Sequence, residues 1–409
     1  MARHIIEEAK RCLQCKRPLC TKGCPISTPV NEMIRLFLGG EIQKAGELLF
    51  KNNPLSVVCS LICPHENFCE GHCILGKKKT AIQVSAIENY ISSYYLEKIK
   101  LQKDTPKGRV AVIGSGPSGI TVAFILAQAG YSVTIFEAEE KIGGVLRYGI
   151  PDYRLPKKIL DRMKDLLCSL GVRIRPNMSI GPVITIDNLF RDGYGAAFIG
   201  TGVWSPRPLR IKGESLGHVH YAINYLKNPD VYPPKKKAVI IGAGNVAMDV
   251  ARTALRKGTE EVTILYRRGE KDIPATLFEY EYAKIDGVKF EFFKSPLEIT
   301  DEGIRYNRTE YVTDEAGNQT LQTIKDSEAV FKADTIFIAA SQVAQSDVTA
   351  STEGIKVTRY GLVITDEDGR TSRPGVFASG DAVTGAKTVV EAVNFSKRSA
   401  EAIMDFLNS

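Results

Sequence analysis

Apolar positions along this chain follow two regimes. Up to about residue 104 they recur at helical spacing. Stretches 31–38 and 41–52 read as helices broken at Gly39-Gly40. A longer helix is predicted over about 81–100, where Ile82, Ala86, Tyr90, Ile91 and Tyr94 repeat at helix-like intervals. From Arg109 onward the pattern changes. Short continuous apolar runs alternate with glycine-rich turns and apolar helices, which predicts an α/β fold with a parallel sheet. Runs 109–113, 133–137, 238–241, 262–266 and 334–340 read as buried strands, and 155–170 as a helix.

Two polar stretches punctuate this pattern. Residues 102–108 look like a linker, and 228–234, with three prolines, like a second. After the second linker the strand-turn-helix pattern starts again, and from about Gly361 the chain reads as more of the first α/β unit. The expected architecture is therefore two Rossmann-like nucleotide-binding domains, one inserted in the other, preceded by an α-helical domain. The predicted boundaries are 1–104 for the helical domain, 105–232 and 346–409 for the two parts of the first nucleotide domain, and 233–345 for the inserted one.

Composition narrows the class. With 409 residues the chain is too long for one ordinary core. An apolar fraction of 44% and a charged fraction of 25% are those of a globular protein. No apolar run reaches membrane-spanning length and the first residues carry no hydrophobic signal segment, so a cytoplasmic protein with no membrane role is expected. The formal net charge of +7 is not gathered into a long basic tract, and no nucleic-acid footprint is visible. Lys77-Lys78-Lys79 and Lys235-Lys236-Lys237 read most simply as solvated turns.

The glycines carry the first specific chemistry. The strand at 109–113 runs straight into Gly114-Ser115-Gly116-Pro117-Ser118-Gly119, and an apolar helix follows. In that order, the first glycine turns the chain and the second lets backbone approach a pyrophosphate. The third lets helix and strand pack closely, and the helix N-terminus faces the phosphates. Glu137 ends the next strand, where a carboxylate can bind a ribose. The second fingerprint, Gly242-Ala243-Gly244-Asn245-Val246-Ala247, has no such acid, and its following strand ends in Arg267-Arg268. A carboxylate there repels a 2′-phosphate and arginine attracts it, so NADPH is expected over NADH. Two such sites fit a flavoprotein with resident FAD and a visiting nicotinamide. Gly380-Asp381, after a short strand, suits the flavin's ribityl-phosphate arm.

Eight of the nine cysteines lie between residues 12 and 73. They read Cys12-x2-Cys15-x4-Cys20-x3-Cys24-Pro25, then Cys59-x3-Cys63-Pro64 and Cys69-x3-Cys73. Structural zinc, a thiol-disulfide relay and iron-sulfur ligation compete for them. No CxxC occurs after Cys15, which removes the usual tool of a disulfide reductase. Thiolates in this number, with proline after Cys24, favour iron-sulfur clusters over zinc. Cys168 reads as a small core residue, and Glu88, taken alone, as a surface helix acid.

With these motifs in place, the chain resembles the small (beta) subunit of bacterial glutamate synthase. It is similar to the N-terminal half of dihydropyrimidine dehydrogenase and that enzyme's separate bacterial flavin subunit. The large subunit of NADH-dependent ferredoxin:NADP oxidoreductase belongs to the same group. The resemblance rests on CLQCKRPLCTKGCP, VCSLICPHENFCEGHC, VIGSGPSG, GGVLRYGIPDYRLPK, IGAGNVAMDVART, LYRR and GVFASGDAVTGAKTVVEAV. It departs from the family at Ile199-Gly200-Thr201-Gly202 and Ala340-Ser341-Gln342, both small changes.

The resemblance implies two 4Fe-4S clusters, one FAD and one NAD(P)H site. It places FAD against Gly114, Ser115, Gly116, Pro117, Ser118, Gly119, Glu137, Ala138, Gly144, Leu146, Arg154, Gly202, Gly380, Asp381 and Thr388. The nicotinamide nucleotide falls against Gly242, Gly244, Asn245, Val246, Arg267 and Arg268. One cluster would be shared by Cys12, Cys15 and Cys20, with Glu88 as fourth ligand, and the other by Cys24, Cys63, Cys69 and Cys73, leaving Cys59 spare. The implied function is NAD(P)H oxidation by an electron-input subunit that passes electrons to a catalytic or electron-accepting protein partner in a hetero-oligomer. Within the same group an electron-bifurcating role is the alternative. From another class, a zinc-stapled module that only senses NADPH is the rival.

Overall fold

The computed structural model describes residues 2–409 except 102, 103, 106, 182, 315 and 316. Part of the predicted linker at 102–108 thus lies outside the described residues. The chain divides into two compact units: residues 1–147, 152–203 and 344–409, and residues 148–151 and 204–343.

The first unit begins with short helices: α1 (Ala2–Lys10), α2 (Leu19–Gly23), α3 (Val30–Leu38), α4 (Ile42–Asn52), α5 (Ser56–Ile62) and α6 (Val84–Lys98). Their core is built from Ile5, Ala9, Met33, Ile34, Leu49, Ile87 and Ile91. On α6 the buried stripe is Val84, Ile87, Glu88, Ile91 and Tyr95, while Tyr94 is exposed. Of the predicted stripe, Ile82 and Ile91 are buried and Ala86 and Tyr90 pack against the same core, so only Tyr94 departs from it, and Glu88 faces inward as well. Chain direction then alternates through β1 (Arg109–Ile113), α7 (Pro117–Gln128), β2 (Ser132–Phe136), α8 (Val145–Tyr148), α9 (Lys158–Ser169), β3 (Arg173–Arg175), α10 (Ile186–Arg191) and β4 (Ala196–Ile199).

The second unit holds β5 (Ser205–Pro206), β6 (Val219–Tyr221), α11 (Ala222–Lys227), β7 (Lys237–Ile241), α12 (Asn245–Arg256), β8 (Glu261–Leu265), α13 (Leu277–Ile285) and β9 (Lys289–Glu291). It continues with β10 (Lys294–Thr300), β11 (Gly303–Thr313), β12 (Gln319–Thr323), β13 (Ala329–Lys332), β14 (Thr335–Ile338) and β15 (Gln342–Val343). The chain then returns to the first unit with α14 (Asp347–Ala350), β16 (Val376–Ala378), α15 (Asp381–Thr384) and α16 (Val389–Asn408).

Each unit is centred on a five-stranded sheet, ordered β16-β4-β1-β2-β3 in the first and β6-β14-β7-β8-β9 in the second. Every strand pair in both sheets is parallel. The mixed α/β class expected from the pattern is what the chain adopts. The second unit adds an antiparallel sheet, β10-β11-β12 with β13 also on β11, which the sequence pattern had not signalled.

The helical segment packs directly onto the first nucleotide domain. Phe50 meets Phe124 of α7 edge to face at 5.5 Å. Lys397 of α16 donates to the Asn52 carbonyl at 2.8 Å, and Arg162 of α9 to the Leu96 carbonyl at 3.1 Å. These contacts tie the cysteine-rich end to the same body as the first glycine fingerprint.

In the second unit a buried ion cluster joins α12 to α13. Arg252 donates to Glu279 and to Asp286, each at 2.8 Å, and its side chain is only 8% exposed. Removing the cation takes the guanidinium from Glu279, while Asp286 keeps its bond with Arg256. Arg252→Met is expected to destabilise this unit by about 3–5 kcal/mol, read by denaturant unfolding. A change below about 1 kcal/mol would mean that α12 is held by packing alone.

Candidate functional site

The first cysteine group forms around the end of α1. The Cys12 N–H donates to the Ala9 carbonyl at 3.1 Å, and Gln14 then adopts φ 47°. This left-handed residue reverses the chain and turns Cys12 and Cys15 toward one space. Cys20 faces it from α2, and Cys73 closes it. Together they line a cavity of about 450 Å³, mouth included, with Leu13, Leu19, Ile74 and Leu75 among its walls. Burial pushes the Cys12 and Cys20 thiols up, and the neighbouring thiols, Cys73 in both cases, add to it.

The second group lies one turn away. Cys24 is the residue that ends α2, with extended backbone, so it points away from Cys20's cavity. It joins Cys59, Cys63, Cys69, His65 and Glu88 around a second cavity of about 360 Å³. The Cys63 N–H donates to the Cys59 carbonyl at 3.0 Å, one helical turn apart at the end of α5, which puts both thiols on one face. The Cys63 thiol is held well above its ordinary value by its hydrogen bond with Cys59 and then by burial. Burial pushes the Glu88 carboxyl up to about 8, with Glu70 adding to it. A carboxyl 5% exposed, facing thiols in a cavity, is costly unless it has a function there.

These groupings differ from the ligand sharing that the family resemblance suggested. Cys73 stands with Cys12, Cys15 and Cys20, not with Cys24, Cys63 and Cys69. Glu88 and Cys59 both line the second cavity, not the first. The physical cause is a close approach at Gly23. A Cβ there would lie 2.4 Å from the His72 ring, so α2 sits tight against the turn between Cys69 and Cys73 and separates them. Cys168 is also corrected: it is exposed on α9, not a core residue. Glu88 is buried, not a surface acid.

Among the described residues no three His, Cys, Asp or Glu side chains converge on a point as single-ion ligands. The thiols line cavity walls instead. Four thiols line each cavity, a donor set that fits a cube of iron and sulfide.

The first glycine fingerprint links β1 to α7. Gly114 takes φ 92°, and a Cβ on Gly119 would lie 2.0 Å from the Gly114 carbonyl oxygen. Gly116 caps α7, and a Cβ there would meet nothing within 4 Å, leaving open space beside the helix N-terminus. Pro117 starts the helix, where its missing N–H costs nothing. Glu137, buried at the end of β2, accepts from the Ser115 N–H at 2.9 Å and from the Ser115 hydroxyl. That acid braces the loop, a role the sequence did not reveal. Ala138 beside it is exposed.

Gly144 packs its backbone on Gly116, and Leu146 is fully buried behind it. Gly202, at φ 70°, follows β4, and Arg154 is half-buried between α8 and α9. From the C-terminal return, a Cβ on Gly380 would lie 2.0 Å from the Ser118 hydroxyl. Asp381 is thereby brought beside the fingerprint helix. Burial pushes its carboxyl up to about 6, against the opposing Lys387 N–H bond. Thr388 caps α16 in a reciprocal capping box with Glu391. Two residues on, Val390 lines the second cysteine cavity. The residues expected at FAD and the second cysteine group thus share α16.

In the second unit, Gly242 takes φ 119° against the Ala339 carbonyl, and Gly244 caps α12 with open space around it. Asn245 accepts from the Thr276 N–H at 2.9 Å, holding the segment before α13 near this loop, and Val246 is half-buried beside it. Arg267 and Arg268 are exposed just past β8. Among the described residues neither pairs with a carboxylate.

Comparison with known proteins agrees with this anatomy. Residues 108–395 match the family model of pyridine nucleotide-disulphide oxidoreductases, and residues 1–100 match that of dihydropyrimidine dehydrogenase domain II, 4Fe-4S cluster. The chain is 32% identical to the glutamate synthase [NADPH] small chain of Azospirillum brasilense, over 97% of this chain and 88% of that one. It is 30% identical to the NAD-dependent dihydropyrimidine dehydrogenase subunit PreT of Salmonella typhimurium, over 98% and 94%. Among solved structures, FprA from Mycobacterium tuberculosis in complex with NADPH shares the fold, with a TM-score of 0.63 at 21% identity over 74% of this chain and 85% of that one. The protein is an FAD- and iron-sulfur-dependent NAD(P)H oxidoreductase, and it belongs to the pyridine nucleotide-disulphide oxidoreductase family, with both glutamate synthase small chains and dihydropyrimidine dehydrogenase subunits among its relatives.

Proposed function

We propose that this chain is the electron-input subunit of a larger reductase. NAD(P)H would supply hydride, FAD would convert the pair to single electrons, and two 4Fe-4S clusters would carry them to a redox centre on a partner protein. The observation that carries this reading is the sharing of α16. Its cap, Thr388, belongs to the expected FAD site and its Val390 to a cysteine-lined cavity. The chain's own part is to bind and orient. The α7 and α12 N-termini offer backbone N–H groups to pyrophosphate, and Glu137 keeps the first loop in shape.

Cys24, Cys63, Cys69 and Glu88 or Cys59 would hold the cluster nearer α16. Cys12, Cys15, Cys20 and Cys73 would hold the one farther along the path. Relatives named as glutamate synthase small chain and as a dihydropyrimidine dehydrogenase subunit support a partner of one of those kinds and a hetero-oligomer. No helix among the described residues is long and apolar enough to cross a membrane.

Iron and acid-labile sulfide analysis on anaerobically purified protein, followed by NADPH addition, tests the reading. About eight irons and eight sulfides per FAD, with bleaching of the flavin's visible band, are expected. A colourless protein with stoichiometric zinc would overturn it. For the nucleotide, Arg267→Glu combined with Arg268→Glu is expected to lower kcat/KM for NADPH by about 10- to 100-fold while sparing NADH. An equal loss for both would deny the arginines their 2′-phosphate role.

A further inference from the structure

The cavity lined by Cys12, Cys15, Cys20 and Cys73 opens beside exposed apolar side chains. Leu13 is 58% exposed and Ile74 is 41% exposed, and both belong to its walls. Large apolar groups standing in water at the mouth of a thiol-lined cavity mark a contact surface. Cations surround them. Lys16 and Arg17 lie between two wall residues, Cys15 and Pro18, and Lys22 is on α2, whose first residues are also wall. Lys77 ends the short 3-10 turn that starts at Ile74, and Lys78 and Lys79 follow it.

All six of these cations are exposed, and no ion pair of theirs occurs among the described residues. Neighbouring acids are already engaged. Glu7 pairs with Lys10, and Glu8 with Arg11 and the Gln83 N–H. Part of the charge balances an anionic cluster, but six cations around one mouth leave a positive rim.

We infer that this mouth is the docking surface for an electron-accepting protein whose own redox centre is ringed by acidic side chains. The inference rests on the electron-input reading and gives the partner's chemistry. An apolar centre inside a charged ring is the anatomy of a protein interface, with complementary charge setting encounter rate and orientation. Nucleic acid fits less well, because the centre of the patch is aliphatic and offers no aromatic side chain for stacking on bases. The transfer moves one electron from the reduced cluster to the acceptor's oxidised metal, and no bond or proton moves with it.

The test reduces the holoprotein's clusters with dithionite, so that it does not depend on NADPH. Stopped-flow mixing then compares two high-potential one-electron acceptors, an acidic blue-copper protein and a cationic c-type cytochrome. The acidic acceptor is expected to react faster at low salt and to lose about tenfold or more toward 1 M ionic strength. The triple variant Lys77→Glu, Lys78→Glu, Lys79→Glu should lose about the same factor at low salt and speed the cationic acceptor. Lys16→Glu with Arg17→Glu should act in the same direction. Unchanged iron content and cluster spectra show that each variant is intact.

Equal rates for the two acceptors, or indifference to charge reversal, would overturn the inference. So would charge reversal that abolishes binding to duplex DNA or anionic vesicles while leaving both acceptor rates unchanged. Failure of NADPH to bleach the flavin would count against the electron-input reading and leave these rates readable.

Discussion

Cys73→Ser is expected to remove one cluster and spare the other. Iron and sulfide should fall by about half, because the first group loses one of its four thiols while the second keeps all of its own. FAD content and flavin reduction by NADPH should be unchanged, since the first glycine loop and the Asp381 segment do not involve Cys73. Low-temperature EPR of the dithionite-reduced variant should show a single surviving cluster signal. The informative comparison is Cys20→Ser. If the two cavities are the ligand sets, Cys20→Ser and Cys73→Ser lose the same signal. If Cys73 instead serves with Cys24, Cys63 and Cys69, the two variants lose different signals.

Gly119→Val is expected to give protein without flavin. The new Cβ would stand 2.0 Å from the Gly114 carbonyl oxygen and 3.3 Å from the Val112 side chain, so helix and strand must separate. FAD affinity should fall by at least about 100-fold as the pyrophosphate cradle opens. Because this variant also strains the core, Gly116→Val is its control. A Cβ at Gly116 meets nothing within 4 Å, so that chain should fold with unchanged unfolding behaviour. Its side chain would occupy the space where a pyrophosphate approaches the helix N-terminus, and FAD should still be lost. A Gly116→Val protein with full flavin would move the cofactor away from this loop. Measuring bound flavin after desalting, beside the denaturation midpoint, separates the two effects.

How far the sequence foretold this molecule differs by element. The two fingerprints were legible because each binds a local order to one geometry: an apolar strand, glycines at fixed offsets, then a helix. Gly114, Gly119, Gly242 and Gly244 stand where that order places them. The restart of the pattern at Ala238 and the buried run of β14 pointed to an insertion over 233–345, but the compact unit begins at Trp204, because β6, ahead of that restart, pairs with β14. The antiparallel sheet β10–β13 was not legible, because Arg308 and Glu310 break the alternation begun by Ile304 and Tyr306 on β11.

The cysteine groups were legible in number but not in partition. Linear order suggests that Cys63, Cys69 and Cys73 stay together. The packing of Gly23 against His72 separates them, and nothing in the spacing announces it. Cys59 and Glu88 were different, since signals existed. Cys63 caps the end of α5 four residues on from Cys59, and Glu88 shares the face of Val84, Ile91 and Tyr95 at helical spacing.

The central claim is that electrons enter as hydride at the flavin and leave through the cysteine-held clusters. Its most direct test is anaerobic stopped-flow reduction of the acidic blue-copper acceptor by NADPH, in the wild-type protein and in Cys73→Ser with full FAD. The account predicts that flavin reduction proceeds equally in both, while delivery to the acceptor falls by about 100-fold in the variant. Equal delivery in the two proteins would place the exit at the flavin and contradict the account.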